Sequence, residues 1–437
     1  MTALSGRLRE LLDDLEAAGL IRSLEGAEEY RFRHALTREA AYASLTRHRR
    51  RQLHLAIGLF LEAHPEASGA EAVDLLAYHF TNAGEPDLAC RYALLAADRA
   101  LSSFSNSEAL AFLQQALEVV GPDGSPALRF QLLEALGDVY VLLRKGNRAL
   151  DRFSAALDAW QAIPAGDQWQ GLRLHRKIIH VSVEMKWALE EGTFQALRAA
   201  GQASRRALEA ASRNLLPEGP TPETVRVQTV LSTAAWRMDR SPDWEAAFRH
   251  AQTAVRDGRL LDSPEVLSPA LGALAAVTLA RGELQESLAT ALDRLEVTRR
   301  EGFSDLRERL DSLRGAGAAL MYVGNYEEAI VLLLEAEKIA VRIQAVDQQF
   351  NVLSLLTQCW FRLDRWDSLL ARDADWEELE LRFPQEQTGP ICFPLALRAV
   401  VHARRGEAAR AKSLADRSMQ IMVSTWGQTN WLRNAHY

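Results

Sequence analysis

The stretch "LLEALGDVYVLLRKGNRALDRFSAAL", Leu132 to Leu157, decides the fold. In it Gly137, Ala149 and Ala156 stand 12 and then 7 residues apart, with Leu133, Leu136, Tyr140 and Phe153 as large apolar partners. Two antiparallel helices joined by a tight turn approach closely only where small side chains face one another and large ones fill the flanking gaps. The same spacing returns at Gly317, Ala329 and Ala336, at Ala77, Ala89 and Ala96, at Ala235, Ala247 and Ala254, and at Ala399, Ala411 and Ser418. Ala97, Ala109 and Ala116 repeat it in a register that overlaps the first occurrence. Each helix pair leaves an apolar face that only the next pair covers, so the pairs stack into an all-α solenoid. An irregular helical bundle with alanine-rich contacts is the alternative use of the same stripes.

Outward from this stretch, breaks such as "AGEPD", "GPDGSP", "LLPEGPTPE", "LLDSPE", "YVGN" and "RRGE" part helices of roughly 12 to 20 residues. A chain of 437 residues, 48% of them hydrophobic, has the length of several compact domains or of one elongated array. The periodicity selects the array. A formal net charge of -7 disfavours a general nucleic-acid or anionic-membrane surface and leaves room only for a local basic patch. The three cysteines, Cys90, Cys359 and Cys392, lie far apart without C-x-x-C spacing, which points to a reducing compartment and away from disulfides or zinc. No apolar run approaches the length of a membrane span and the N-terminus has no apolar signal region, so a cytoplasmic protein is expected.

The first residues read differently. Leu8, Leu11, Leu12 and Leu15 mark one helical face, with Ser5 placed to cap its start and Gly19 to end it. "LIRSL" and "YRF", separated by the polar "EGAEE", predict a β-hairpin, and a helix is expected from Thr37 with His34 at the hinge. The expected domains are therefore 1–64, a hairpin-bearing arm with its connecting helix, and 65–437, the helical array, with a sub-division near 212–222.

The small-residue pattern resembles the tetratricopeptide repeat, most closely in Leu133 to Ala156 and Gly317 to Ala336, and more loosely over about Glu71 to Met419. The N-terminal segment, above all "YRFRHALTREAAY", Tyr30 to Tyr42, resembles the end of the winged-helix arm of bacterial signal-transduction ATPases with numerous domains, the STAND class. In that class a nucleotide-binding domain precedes a winged helix and tetratricopeptide-like repeats. A related methionine-histidine-aspartate motif places its histidine against the β-phosphate of ADP, so the resemblance implies a nucleotide-facing role for His34; Ala35 stands at the aspartate position. The phosphate-binding loop G-x-x-x-x-G-K-[ST] is not in the sequence. The resemblance thus implies the sensor or interaction arm of a signalling ATPase with no cofactor of its own: a fragment of a larger gene product, a split partner whose ATPase lies on another chain, or a descendant that has lost its motor. A truncated gene product is a further reading, and a hairpin end that caps the turn before Thr37 is the plain structural alternative for His34.

The basic run Arg47, Arg49, Arg50 and Arg51 suits an acidic partner, nucleic-acid phosphates, or simply a solvated helix junction. Sequence-specific DNA reading is disfavoured, because the helix before the hairpin carries Glu10, Asp13, Asp14 and Glu16. The regulatory nucleic-acid-binding reading, through the winged-helix segment and these arginines, is the alternative to a scaffold. No H-E-x-x-H or G-x-S-x-G motif occurs and His175 and His180 point to different helix faces, so neither a metal site nor catalysis is expected. Placing the repeat register on three first helices assigns Gln131, Glu134 and Asp138, then Ser232, Trp236 and Asp239, then Asp311, Arg314 and Met321 to the concave groove. Such a groove, with Trp236 as its aromatic anchor, fits a protein or peptide ligand. Trp426 and Trp431 near the C-terminus, without an obvious capping helix, point either to homodimerisation there or to an array cut short.

Overall fold

The computed structural model describes residues 2–23, 30–64, 72–143, 145–164, 166–184, 191–214, 219–238, 242–382 and 392–426. The chain divides into two compact units, Met1–Leu128 and Arg129–Tyr437.

The first unit opens with α1 (Thr2–Ala17), so Ser5 lies inside the helix rather than at its cap. Gly19 ends it with φ +70° and the Leu20 N–H returns to the Leu15 carbonyl at 3.0 Å. Strands β1 (Ile21–Ser23) and β2 (Tyr30–Phe32) pair antiparallel, Ile21 opposite Phe32 and Ser23 opposite Tyr30, which is the expected hairpin. Helix α2 (Ala35–Ser44) starts two residues earlier than Thr37. His34 occupies its N-cap, where the backbone carbonyl accepts from the Thr37 and Arg38 N–H groups at 3.2 and 3.3 Å while the imidazole makes no capping bond. Thr46 caps α3 (Arg47–Ala63) by accepting from the Arg49 N–H at 3.2 Å.

Helices α4 (Ala72–Ala83), α5 (Pro86–Ser102) and α6 (Asn106–Val120) complete this unit. Helix α5 packs against both α4 and α6, which explains the overlapping registers: Ala77, Ala89 and Ala96 are buried, and so are Ala97, Ala109 and Ala116. Leu55 and Leu61 of α3 pack on the core of Leu76, Phe80 and Tyr92. The connecting helix therefore shares a core with the helices after it.

The second unit is a succession of antiparallel pairs. Its helices are α7 (Pro126–Leu142), α8 (Gly146–Gln161), α9 (Gln168–Glu184), α10 (Glu191–Asn214), α11 (Pro222–Arg237), α12 (Trp244–Leu260), α13 (Pro264–Ala280) and α14 (Leu284–Arg299). They continue as α15 (Leu306–Tyr322), α16 (Tyr326–Arg342), α17 (Val346–Arg362), α18 (Trp366–Leu370), α19 (Asp373–Arg382), α20 (Cys392–Arg404) and α21 (Ala408–Trp426). The small residues that announced the pairs are buried between them. Ala149 and Ala156 are fully buried, and a Cβ on Gly137 would lie 2.3 Å from the Phe153 ring, so only glycine admits that close crossing of α7 and α8. Helices α9, α11, α13, α15 and α17 touch in succession, more closely than α12, α14 and α16 touch one another. The array therefore curves with the odd-numbered layer on its concave side. One core cluster joins Leu172 and Ile179 of α9, Leu208 of α10 and Leu231 of α11. The fold is all-α, a tetratricopeptide-like α-solenoid, with the hairpin as the sheet found among the described residues.

Candidate ligand-binding surface

Local sequence sets the concave helices in place. Thr221 and Thr224 form a reciprocal capping box and Pro222 fills the first turn, where its missing N–H costs nothing, so α11 starts at that point. In α9, Arg173, Arg176, Lys177 and His180 recur at helical spacing and form a basic stripe along the concave side. Helix α13 continues through Pro269, which has no N–H to return to the Glu265 carbonyl.

These three helices enclose a depression of about 260 Å³. Helix α9 contributes Arg176, Ile179, His180 and Val183; α11 contributes Arg226, Thr229, Val230 and Thr233; α13 contributes Glu265, Val266 and Pro269. The floor is apolar, because Thr229 and Thr233 turn their hydroxyls back to the Val225 and Thr229 carbonyls at 2.8 and 3.3 Å. One wall is cationic. Arg176 Nε donates to Glu223 Oε1 at 3.3 Å and Arg226 Nη1 lies 3.6 Å from Glu223 Oε2, so two guanidiniums share a single carboxylate.

The neighbouring ion pairs are closer. Arg173 grips Glu134 through two hydrogen bonds of 2.6 Å, and Lys177 reaches Glu134 at 2.8 Å and Asp138 at 2.6 Å. Burial raises the Glu134 carboxyl, yet the hydrogen bonds and charges of Arg173 and Lys177 outweigh it and hold the group below its ordinary range. Further along, buried Arg294 of α14 donates to Glu308 and Asp311 of α15, both at 2.7 Å, and to the Ser268 hydroxyl of α13 at 3.2 Å. Gly272 makes room for it, since a Cβ there would stand 2.8 Å from the guanidinium. Burial opposes both charges, but Arg314 and Arg294 hold the Asp311 carboxyl well below the usual carboxylate range, and Asp311 and Glu308 push the Arg294 guanidinium up.

The residues assigned to the groove from sequence are thus distributed over several roles. Gln131 is exposed, whereas Glu134 and Asp138 are held by α9 and act as struts between repeats. Ser232 is fully buried, because it sits about 120° around the helix from Arg226. Trp236, partly exposed, stacks on Trp244 at 5.7 Å and packs on the Ala235–Ala247 core. Asp311 and Arg314 pair with each other, and Met321 is buried. Asp239 and Trp431 lie outside the described residues, and α21 ends at Trp426. His34 is exposed. Of the basic run, Arg50 is spent on the Leu45 and Ala43 carbonyls at 3.1 and 2.9 Å, Arg49 donates to Gln52 at 3.3 Å, Arg51 lies beside Gly84, and Arg47 is exposed. Sequence reading missed Arg176, Arg226, Glu265 and Pro269. The stripe "RLHRKIIH" and a proline within an apolar helical run were the available signals.

The three thiols are buried, and burial pushes Cys90 up to about 11 and Cys359 to about 12, which leaves little thiolate. Among the described residues no cluster of histidine, cysteine and carboxylate side chains has metal-binding geometry, and no helix is long and apolar enough to cross a membrane.

Stacked pairs with a lined concave face define the chain as a tetratricopeptide-like solenoid carrying a small groove site. No protein-family model and no curated protein matches it. Similar solved structures include a Rap protein complexed with Competence and Sporulation Factor, at 15% identity over 87% of this chain and 99% of that chain with a TM-score of 0.49. A STAND protein with a tetratricopeptide repeat sensor from Pyrococcus horikoshii is 12% identical over 94% of this chain and 58% of its own, with a TM-score of 0.47. The apo quorum sensor NprR from B. thuringiensis is 14% identical over 85% and 97%, with a TM-score of 0.45.

Proposed function

We propose that the chain is a non-catalytic scaffold that binds a protein or peptide segment on the concave face of its second unit, anchored in the depression between α9, α11 and α13. The observation that carries this reading is an apolar floor beside a wall where Arg176 and Arg226 share Glu223. Arg176, Arg226 and Glu223 together carry one net positive charge, which Glu265 of the same lining offsets, and the two guanidiniums keep several N–H donors beyond their bonds to Glu223. The fitting segment places one large apolar side chain on Ile179, Val230 and Val266 and presents a carboxylate next to it. The finer reading is the sensor arm of a STAND-type signalling ATPase in the bacterial cytoplasm, with the ATPase supplied by a partner chain. Its support is the sequence "YRFRHALTREAAY" and the succession of hairpin and array.

A random-peptide display library selected on the full chain tests the first reading. The expected outcome is enrichment of acidic-apolar sequences that no longer bind a Thr233→Arg variant whose urea midpoint is unchanged. Enriched peptides that bind the variant equally well, or no enrichment, would overturn it.

A further inference from the structure

In the first unit, one hydrogen-bonded chain of ring side chains crosses three helices. The Tyr42 hydroxyl of α2 lies 3.0 Å from His54 Nε2 of α3, and His54 Nδ1 lies 3.0 Å from His79 Nδ1 of α4. His54 is buried, with Tyr78 of α4 edge-on to it at 5.5 Å. The pairing restricts the protons. Between two Nδ1 atoms at hydrogen-bond distance only one proton fits, so with both rings neutral the Tyr42 hydroxyl donates to His54 Nε2 and the His54 Nδ1–H donates to His79, or all three protons shift the other way. One added proton keeps every bond but leaves an imidazolium on buried His54 or half-buried His79 with no counter-charge among the described residues. A second puts two N–H groups face to face and breaks the contact.

Among the described residues the surroundings offer an imidazolium no carboxylate. The rings beside the two imidazoles are those of Tyr42 and Tyr78, both partly exposed, and Arg50 of α3, itself cationic, lies 4.7 Å from the Tyr42 ring centroid. Burial lowers the pKa of His54, and burial together with His54 lowers that of His79; among the described residues no carboxylate opposes either effect. The attachment that depends on this chain is slight, because α2 has no buried residue of its own. Besides Tyr42, it is held by the Arg50 bonds to the carbonyls at its end and by its contact with β2.

We propose that Tyr42, His54 and His79 form an acid-released latch, closed while both imidazoles are neutral and opened when they take up protons, freeing α2 from α3 and α4. The sign follows from the lowered pKa values. Above the ordinary histidine value the latch is intact, and its hold weakens as pH falls through that value toward the lower ones of the closed state. With two protons taken up on opening, the open fraction rises by up to about a hundredfold per pH unit in that window.

Hydrogen–deuterium exchange of the full chain between pH 7.5 and 5.0, corrected for the intrinsic pH dependence, tests the latch. Protection of residues 35–44 is expected to fall below about pH 6, while α15 and α16 stay protected, and a His54→Gln/His79→Gln variant is expected to lose that pH dependence. Unchanged protection of α2 in the wild type, or the same fall in the variant, would overturn the proposal. If the variant does not fold, as lost protection of α15 and α16 would reveal, the two imidazoles of the wild type are titrated by histidine-selective NMR. Midpoints below the free value that coincide with α2 exposure support the latch, and a midpoint at or above it for either ring overturns it.

Discussion

Helices α15 and α1 carry the same kind of apolar stripe and meet opposite fates. In α15, Leu310, Leu313 and Leu320 are at most 3% exposed, each covered by helices on either side in the sequence. In α1, Leu8, Leu11 and Leu15 are 58%, 53% and 40% exposed. Periodicity states that a face wants burial; only the presence of a neighbouring repeat states what buries it. A repeat pair carries its partner in the next stretch of sequence, and the helix before the hairpin does not.

That contrast can be broken or sharpened by mutation. The largest effect is expected from Arg294→Ala, which leaves Glu308, Asp311 and Ser268 facing a void between α13 and α15. Removing one partner of a buried ion network costs about 3–5 kcal/mol, read as a lower urea midpoint. An Arg294→Met variant that restores most of this would show that filling, more than charge, is what the site requires. Next comes Gly137→Ala. Helix propensity alone would stabilise it by roughly 1 kcal/mol. The collision with Phe153 outweighs that gain, and a net loss of about 1–3 kcal/mol is expected from overpacking. The smallest effect is expected from Leu11→Ala, within about 0.5 kcal/mol of wild type, as for exposed positions in general. A loss of several kcal/mol there would mean that the α1 face is covered in solution, and the comparison with α15 would fall.

The fold was legible because its signal is local. Gly137, Ala149 and Ala156 lie within one helix pair, and the steric demand that makes them small acts between neighbours in sequence. The groove was less legible because it depends on rotation about each helix. Thr233 lines the depression and Ser232, one residue earlier, is fully buried. A register error of about 100° exchanges one for the other. Long-range pairing hid the rest. Glu134 and Asp138 look like free groove carboxylates until Arg173 and Lys177, the next concave helix along, are brought beside them. Trp236 looks like a lone aromatic until Trp244 folds onto it across the turn.

The depression takes its wall from three successive concave helices, so its width is set by the pitch of the array at that point. A guest wedged there, as proposed, would work as a strain gauge in reverse. By linkage, anything that tightens or relaxes the superhelix alters the guest's affinity by the same factor with which the guest alters the curvature. A pull on the repeats, or a neighbour docked several helices away, would then register as release or capture at a site that it never touches.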